Sequence, residues 1–133
     1  MIEVKLAHNQ FEKQIVIENM RGVSPLSNSI VWGFWKENKC FGGVSLSGSF
    51  LNEYTIGFSI KPSMELGLAI YLATCEALKI NSRLVGKIQI TNTASRKGAR
   101  QLGFRRVYID GDIEVMELAN IPAKMHKRWS KYV

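Results

Sequence analysis

Two helix starts in this chain carry residue types suited to holding an anion. In Met64-Glu65-Leu66-Gly67-Leu68-Ala69 small residues stand two apart where a strand gives way to a helix. Small residues are what a backbone needs where it must approach a phosphate closely, because the free N–H groups of a helix N-terminus point at the charge. The second start lies in Thr91-Asn-Thr-Ala-Ser-Arg-Lys-Gly-Ala-Arg-Gln-Leu-Gly-Phe104, a polar strand end that runs into a cationic helix. Here Asn92 is placed to cap the helix, Gly103 to end it in the left-handed conformation and Phe104 to enter the core, so much of the pattern is helix punctuation. What punctuation leaves over is a polar, positively charged face.

That face belongs to a wider excess of positive charge. The net charge is +7, and between Lys79 and Arg106 stand Lys79, Arg83, Lys87, Arg96, Lys97, Arg100, Arg105 and Arg106 with no acid among them; Lys124, Lys127, Arg128 and Lys131 follow near the C-terminus. Such a surface favours an anion: nucleic acid, a phosphorylated cofactor, an acidic protein, or solvent alone. Nucleic acid is the least favoured, because no aromatic except the core-directed Phe104 interleaves these charges to stack on bases. Cys40 and Cys75 lie far in sequence from His8 and His126, so neither a metal spacing nor a disulfide framework is present, and both cysteines read as small apolar core residues. No apolar run approaches the roughly 20 residues of a membrane helix. The start MIEVKLAHNQFEK carries charge where a secretory signal is apolar, which predicts a cytoplasmic protein.

A chain of 133 residues, 46% hydrophobic and 22% charged, is sized for one domain. The pattern predicts a domain over 1–120 and a basic tail over 121–133. MIEVKLA alternates like a surface strand, and Asn9 caps a short helix with Phe11, Ile15 and Met20 at helical spacing. Arg21–Asn28 breaks the pattern. SIVWGFWKENKCFGGVSLSG is a hairpin turning at Lys36–Lys39, and EYTIGFSIKP adds a third antiparallel strand. ELGLAIYLATCEALKI is a helix apolar round most of its circumference, LVGKIQIT a strand, TASRKGARQL a helix, and RRVYIDGDIEVMEL a hairpin with its turn at Asp110-Gly111. The order is β-α-β-β-β-α-β-α-β-β. The tail IPAKMHKRWSKYV reads either as an amphipathic helix docked through Trp129 and Tyr132 or as partly disordered.

This order, with M-x-x-G-x-A at the long helix and Asn92, Ser95 and Gly103-Phe104 along the later one, resembles the GCN5-related N-acetyltransferase (GNAT) superfamily over nearly the whole domain. The resemblance implies an α/β (α+β) fold: a mixed, mostly antiparallel sheet of about six or seven strands with helices on both faces. It implies acetyl-CoA (coenzyme A) as cofactor, bound through Met64, Leu66, Gly67, Leu68, Ala69, Asn92 and Ser95, with the backbone of Phe58 and Ile60 pairing the pantetheine as a false extra strand. Met64 stands where the family has Arg or Gln. Ala99 or Gly98 stands where many members have a tyrosine acid. Tyr108, Ser95 or a water could take the place of that acid, and Glu53 is the candidate base, with Glu37 a lesser alternative; Trp32, Trp35 and Tyr54 are candidates to line the acceptor cleft. The implied activity is acetyl transfer to an amine of unstated acceptor. The alternative is a catalytically degenerate protein of the same fold that works by binding another protein. A looser likeness, resting on size, the M-x-x-G-x-A loop and the Asn92-Thr93 start, is to GNAT-like proteins of bacteriophages, which would make the partner a host protein and the location the host cytoplasm. Monomer and homodimer both fit.

Overall fold

The computed structural model describes residues 2–21 and 28–132. Eleven elements follow one another: β1 (Glu3–Leu6), α1 (Gln10–Glu18), β2 (Ile30–Lys36), β3 (Lys39–Ser47), β4 (Glu53–Phe58), α2 (Met64–Ile80), β5 (Leu84–Gln89), α3 (Thr93–Leu102), β6 (Arg105–Asp110), β7 (Ile113–Leu118) and α4 (Ala123–Ser130). The first ten are the elements read from sequence. Most of the break expected at Arg21–Asn28, residues 22–27, lies outside the described residues. The strands form one sheet in the order β1-β2-β3-β4-β5-β7-β6, in which only β4 and β5 run parallel.

Local chemistry fixes the joints. Glu37 and Asn38 both have positive φ (52° and 64°) between the paired Lys36 and Lys39, the geometry of a two-residue hairpin whose twist matches its strands. The β6–β7 turn is Gly111-Asp112, one residue later than read from sequence, with Asp110 paired to Ile113. Asn9 accepts from the Glu12 N–H at 2.8 Å and caps α1. Phe11, expected on the apolar face of that helix, is 75% exposed, whereas Val16 and Met20 are fully buried.

One face of the sheet carries α1 and the other carries α2 with a larger core that includes Phe34, Leu46, Tyr54, Leu66, Ala69, Met116, Leu118 and Trp129. The close seating of α1 depends on three glycines in one cross-strand row, Gly33 to Gly43 to Gly57. A methyl on Gly43 would stand 2.5 Å from Val16 Cγ1, and one on Gly57 would overlap the Met20 carbonyl oxygen. The row is therefore a trough in which the end of α1 lies against bare backbone.

On the other side of the sheet α3 is fastened by a buried carboxylate. Glu114 on β7 is fully buried and accepts hydrogen bonds from Arg96 Nε (2.7 Å), Arg100 Nη2 (3.1 and 2.7 Å) and Arg106 Nε (2.9 Å). Arg96 also donates to the Ile90 carbonyl at 2.9 Å, which ties the helix to the end of β5. Hydrogen bonds from Arg96 and then Arg106 outweigh the cost of burial and hold the Glu114 carboxyl at about 2, well below the ordinary 4.5.

Two outcomes are expected. Gly57→Ala should cost roughly 3 kcal/mol or more in urea unfolding, because the obstacle is backbone; a loss under about 1 kcal/mol would mean α1 sits further from the sheet than described. A carboxyl whose folded pKa is depressed stabilises above its unfolded value and loses that stabilisation as pH falls. Glu114→Gln should thus melt lower than wild type at neutral pH, with the difference shrinking between pH 4.5 and about 2. A difference in melting temperature that persists undiminished at the acid end would contradict the assignment.

Candidate functional site

The middle of the sheet is open. β4 and β5 are registered at one pair, Glu53 with Val85, where the Val85 N–H donates to the Asn52 carbonyl at 2.7 Å. Each strand is instead held by its outer neighbour: β5 pairs with β7 along all six of its residues, and β4 pairs with β3 to its last. Beyond Phe58 the Ser59 N–H donates to the Phe41 carbonyl at 2.9 Å and so continues that hold on β3. Peptide groups of successive strand residues turn to alternate edges. Since Asn52 faces β5 and Ser59 faces β3, the peptide groups of Ile56 and Phe58 face the gap. Backbone groups placed so need partners.

Glu53 and Tyr54 lie on opposite faces of β4. Tyr54 is buried, with its hydroxyl hydrogen-bonded to Thr74, whose own hydroxyl donates to the Ile70 carbonyl at 2.7 Å; burial pushes the phenol pKa upward. Trp32 is buried as well. Both are core residues rather than the lining of an acceptor cleft, and Trp35, half-buried, lies under the Lys5 ammonium at 5.0 Å. Glu53 shares the α1 side of the sheet with Thr55 and Gly57. It is about half exposed, and Lys87 Nζ stands 3.7 Å from its Oε1. Lys87 was not singled out from sequence, because nothing local shows that its strand neighbours Glu53.

Tyr108 is registered with Val115, which is registered with Lys87. Glu53 and Tyr108 therefore share a sheet face, yet Tyr108 is exposed on the outermost strand, roughly 10 Å from β5 at ordinary strand spacing. The structure does not bring the two together.

At the start of α2, Ser63 caps the helix by accepting from the Leu66 N–H at 3.2 Å. Met64 is exposed, Leu66 and Ala69 are buried in the core, and Leu68 is half-buried. Glu65 is held by Lys36 at 2.7 and 2.9 Å. Gly67 has an unforeseen neighbour, since a methyl there would stand 3.0 Å from Cη2 and Cζ2 of Trp129 on α4. Ile60, beyond the end of β4, is 38% exposed.

At α3, Asn92 accepts from the Ser95 N–H at 3.2 Å, Gly103 ends the helix at φ 119°, and Phe104 is buried, each as the sequence indicated. The helix's cations are less free than expected. Arg96 and Arg100 are bound to Glu114, and elsewhere in the same run Arg83 pairs with Glu117 and Lys79 with Glu76. Ala99 is half-buried and presents no acid. Among the described residues no group of three or more His, Cys, Asp or Glu side chains is placed to hold a metal, and no helix is long and apolar enough to cross a membrane.

No family model matches the sequence, and no curated protein matches it. Solved structures do match in shape. The Campylobacter jejuni N-acetyltransferase PseH, in complex with acetyl coenzyme A, aligns over 90% of this chain and 99% of its own with a TM-score of 0.62 at 13% identity. A probable acetyltransferase from Staphylococcus epidermidis aligns over 90% and 99% with a TM-score of 0.68 at 14% identity. An N-acetyltransferase from Staphylococcus aureus aligns over 90% and 97% with a TM-score of 0.63 at 15% identity. The chain thus has the GNAT fold: an open seven-stranded, mostly antiparallel sheet whose two parallel strands part at its centre.

Proposed function

We propose that this protein transfers the acetyl group of acetyl-CoA to an amine. The observation that carries the reading is the β4–β5 gap, where the peptide groups of Ile56 and Phe58 face outward from a strand with no partner on that side. An amide-bearing chain laid in the gap would complete the ladder as an added strand, which is the fit expected of pantetheine. The solved structure of similar shape that holds acetyl coenzyme A supports the same ligand here. The start of α2 fits a diphosphate less fully, because Ser63 already uses the Leu66 N–H and Glu65 adds negative charge beside it.

Acetyl-CoA, when bound, supplies an acyl carbon open to attack by an amine. The chain's part begins with Ile56 and Phe58, which orient the ligand by backbone. Glu53, next to the point where β4 and β5 part, accepts the proton that the amine nitrogen sheds as its new bond to carbon forms. Lys87 Nζ stands 3.7 Å from the Glu53 carboxylate, on the same face of the sheet. With Ala99 in place of a tyrosine and Tyr108 two strands away from β5, solvent returns the proton to the leaving sulfur. The net charge of +7 disfavours a polycationic acceptor. The phage-like size and motifs point to an amine on a host protein.

A second reading, a GNAT-fold protein that acts by binding another protein, is favoured by three departures: Met64 at the loop, Ala99 on α3, and the Trp129 ring over Gly67.

Calorimetric titration with acetyl-CoA separates the two. Micromolar binding together with acetylation of at least one member of an amine panel is the expected result; no heat at millimolar acetyl-CoA in folded protein would leave the binding-protein reading. Glu53→Gln should lower turnover by about 10²-fold or more with acetyl-CoA affinity unchanged. Equal rates across the pH range would remove Glu53 as the base.

A further inference from the structure

α4 crosses the outward side of α2, and its Trp129 rests on the flank of α2 nearer the central gap. Leu66, Ala69, Ala73 and Ala77 mark the side of α2 turned to the sheet, and the Glu65–Lys36 pair marks the flank toward β2. At 100° per residue Gly67 is 200° from Glu65, so it occupies the opposite flank, toward β5. That is where Trp129 rests on it. Four residues on, Tyr71 shares a hydrogen bond with His126 Nδ1 at 2.6 Å and meets its ring edge-on. Trp129 thus meets α2 one turn nearer its N-terminus than His126 does. Before α4 begins, the Asn120 carbonyl and Pro122 crowd Gly103 at the end of α3. The helix therefore starts beside the C-terminus of α3 and carries the Trp129 ring to the first turn of α2.

α4 is held along one stripe, in which Trp129 is 4% exposed and Met125 packs against the core. Lys124, Lys127, Arg128 and Lys131 are exposed, and open grooves flank the contact, one lined by Val4, Tyr71, Cys75, Lys79 and Ser130, the other by Cys75, Leu78, Asn120 and His126. With eight residues, Pro122 at its N-cap and no side chain capping its first turn, α4 has little helicity of its own and keeps its form by docking.

We propose that α4 is an autoinhibitory strap over the coenzyme groove. Resting on the acetyl-CoA reading above, it holds the Trp129 ring where the coenzyme's diphosphate approaches the first turn of α2, and it must be displaced for the coenzyme to seat. The glycine that sequence assigns to a phosphate is, in the strapped state, the seat of an indole. Binding then carries the cost of undocking α4, and weakening the dock raises apparent affinity by the fraction of strapped protein removed.

The test measures acetyl-CoA affinity by calorimetry for wild type, Trp129→Ala and His126→Ala, with limited trypsin digestion of each. Affinity should rise about tenfold or more in Trp129→Ala and severalfold in His126→Ala. Acetyl-CoA should speed cleavage of wild type after Lys127 and Arg128. Equal affinities in the three proteins, with cleavage unaffected by acetyl-CoA, would overturn the strap and leave coenzyme binding standing. Weaker binding in both variants would make α4 part of the coenzyme site and overturn it too. Absence of binding in all three would bring down the coenzyme reading and the strap with it. Should Trp129→Ala fail to fold, His126→Ala, which removes one hydrogen bond at the far end of the contact, decides alone.

Discussion

Two parallel strands at the centre of the sheet share a single registered pair, and the arrangement of the molecule follows from that. β4 is committed to β3 and β5 to β7, so neither can bend toward the other without giving up a continuous ladder. A buried peptide group left without a partner is costly. The gap is consequently both a defect in the sheet and a template for a ligand with amides of its own. The faces of the sheet divide the remaining work. Tyr54 points into the core under α2, while Glu53, one residue earlier, points to the side where Lys87 waits. A glycine row beneath α1 keeps that side thin over β2 to β4.

Electrostatics in this protein is a matter of long-range pairing more than of surface excess. The run from Lys79 to Arg106 reads as unopposed positive charge along the chain, yet folding brings Glu53, Glu114 and Glu117 to five of its eight members, and Glu76 pairs with Lys79 one helical turn away. Glu114 takes three of them. Its burial is tolerable because each carboxylate oxygen receives more than one charged donor, and removing the carboxylate would leave Arg96, Arg100 and Arg106 facing one another. The cationic face of α3 is in this sense a structural joint, and the expectation that its arginines serve a phosphate gives way to that role.

The elements were legible because their signals are local: alternation in the strands, the apolar circumference of α2, the caps at Asn92 and Gly103. What escaped the sequence is contact over distance. The neighbour of Gly67 is Trp129, on a tail that sequence left open between helix and disorder. The partner of Arg96 is Glu114, which lies in what reads as an ordinary alternating hairpin. Tyr54 could be read as cleft or as core, because alternation shows which residues share a face but not which face is core. Tyr108 and Glu53 share a face, as an acid and base would need, but the order β5-β7-β6 interposes a strand that the chain order conceals.

The central claim, that the β4–β5 gap receives acetyl-CoA as an added strand, is tested most directly at the backbone. Amide hydrogen exchange followed by NMR, with and without acetyl-CoA, reads the peptide groups one at a time. Strong new protection of the Ile56 and Phe58 amides, with little change at Thr55 and Gly57, which already face β3, is the predicted result. Unchanged exchange at Ile56 and Phe58 in protein shown to be saturated with acetyl-CoA would place the ligand elsewhere and contradict the account.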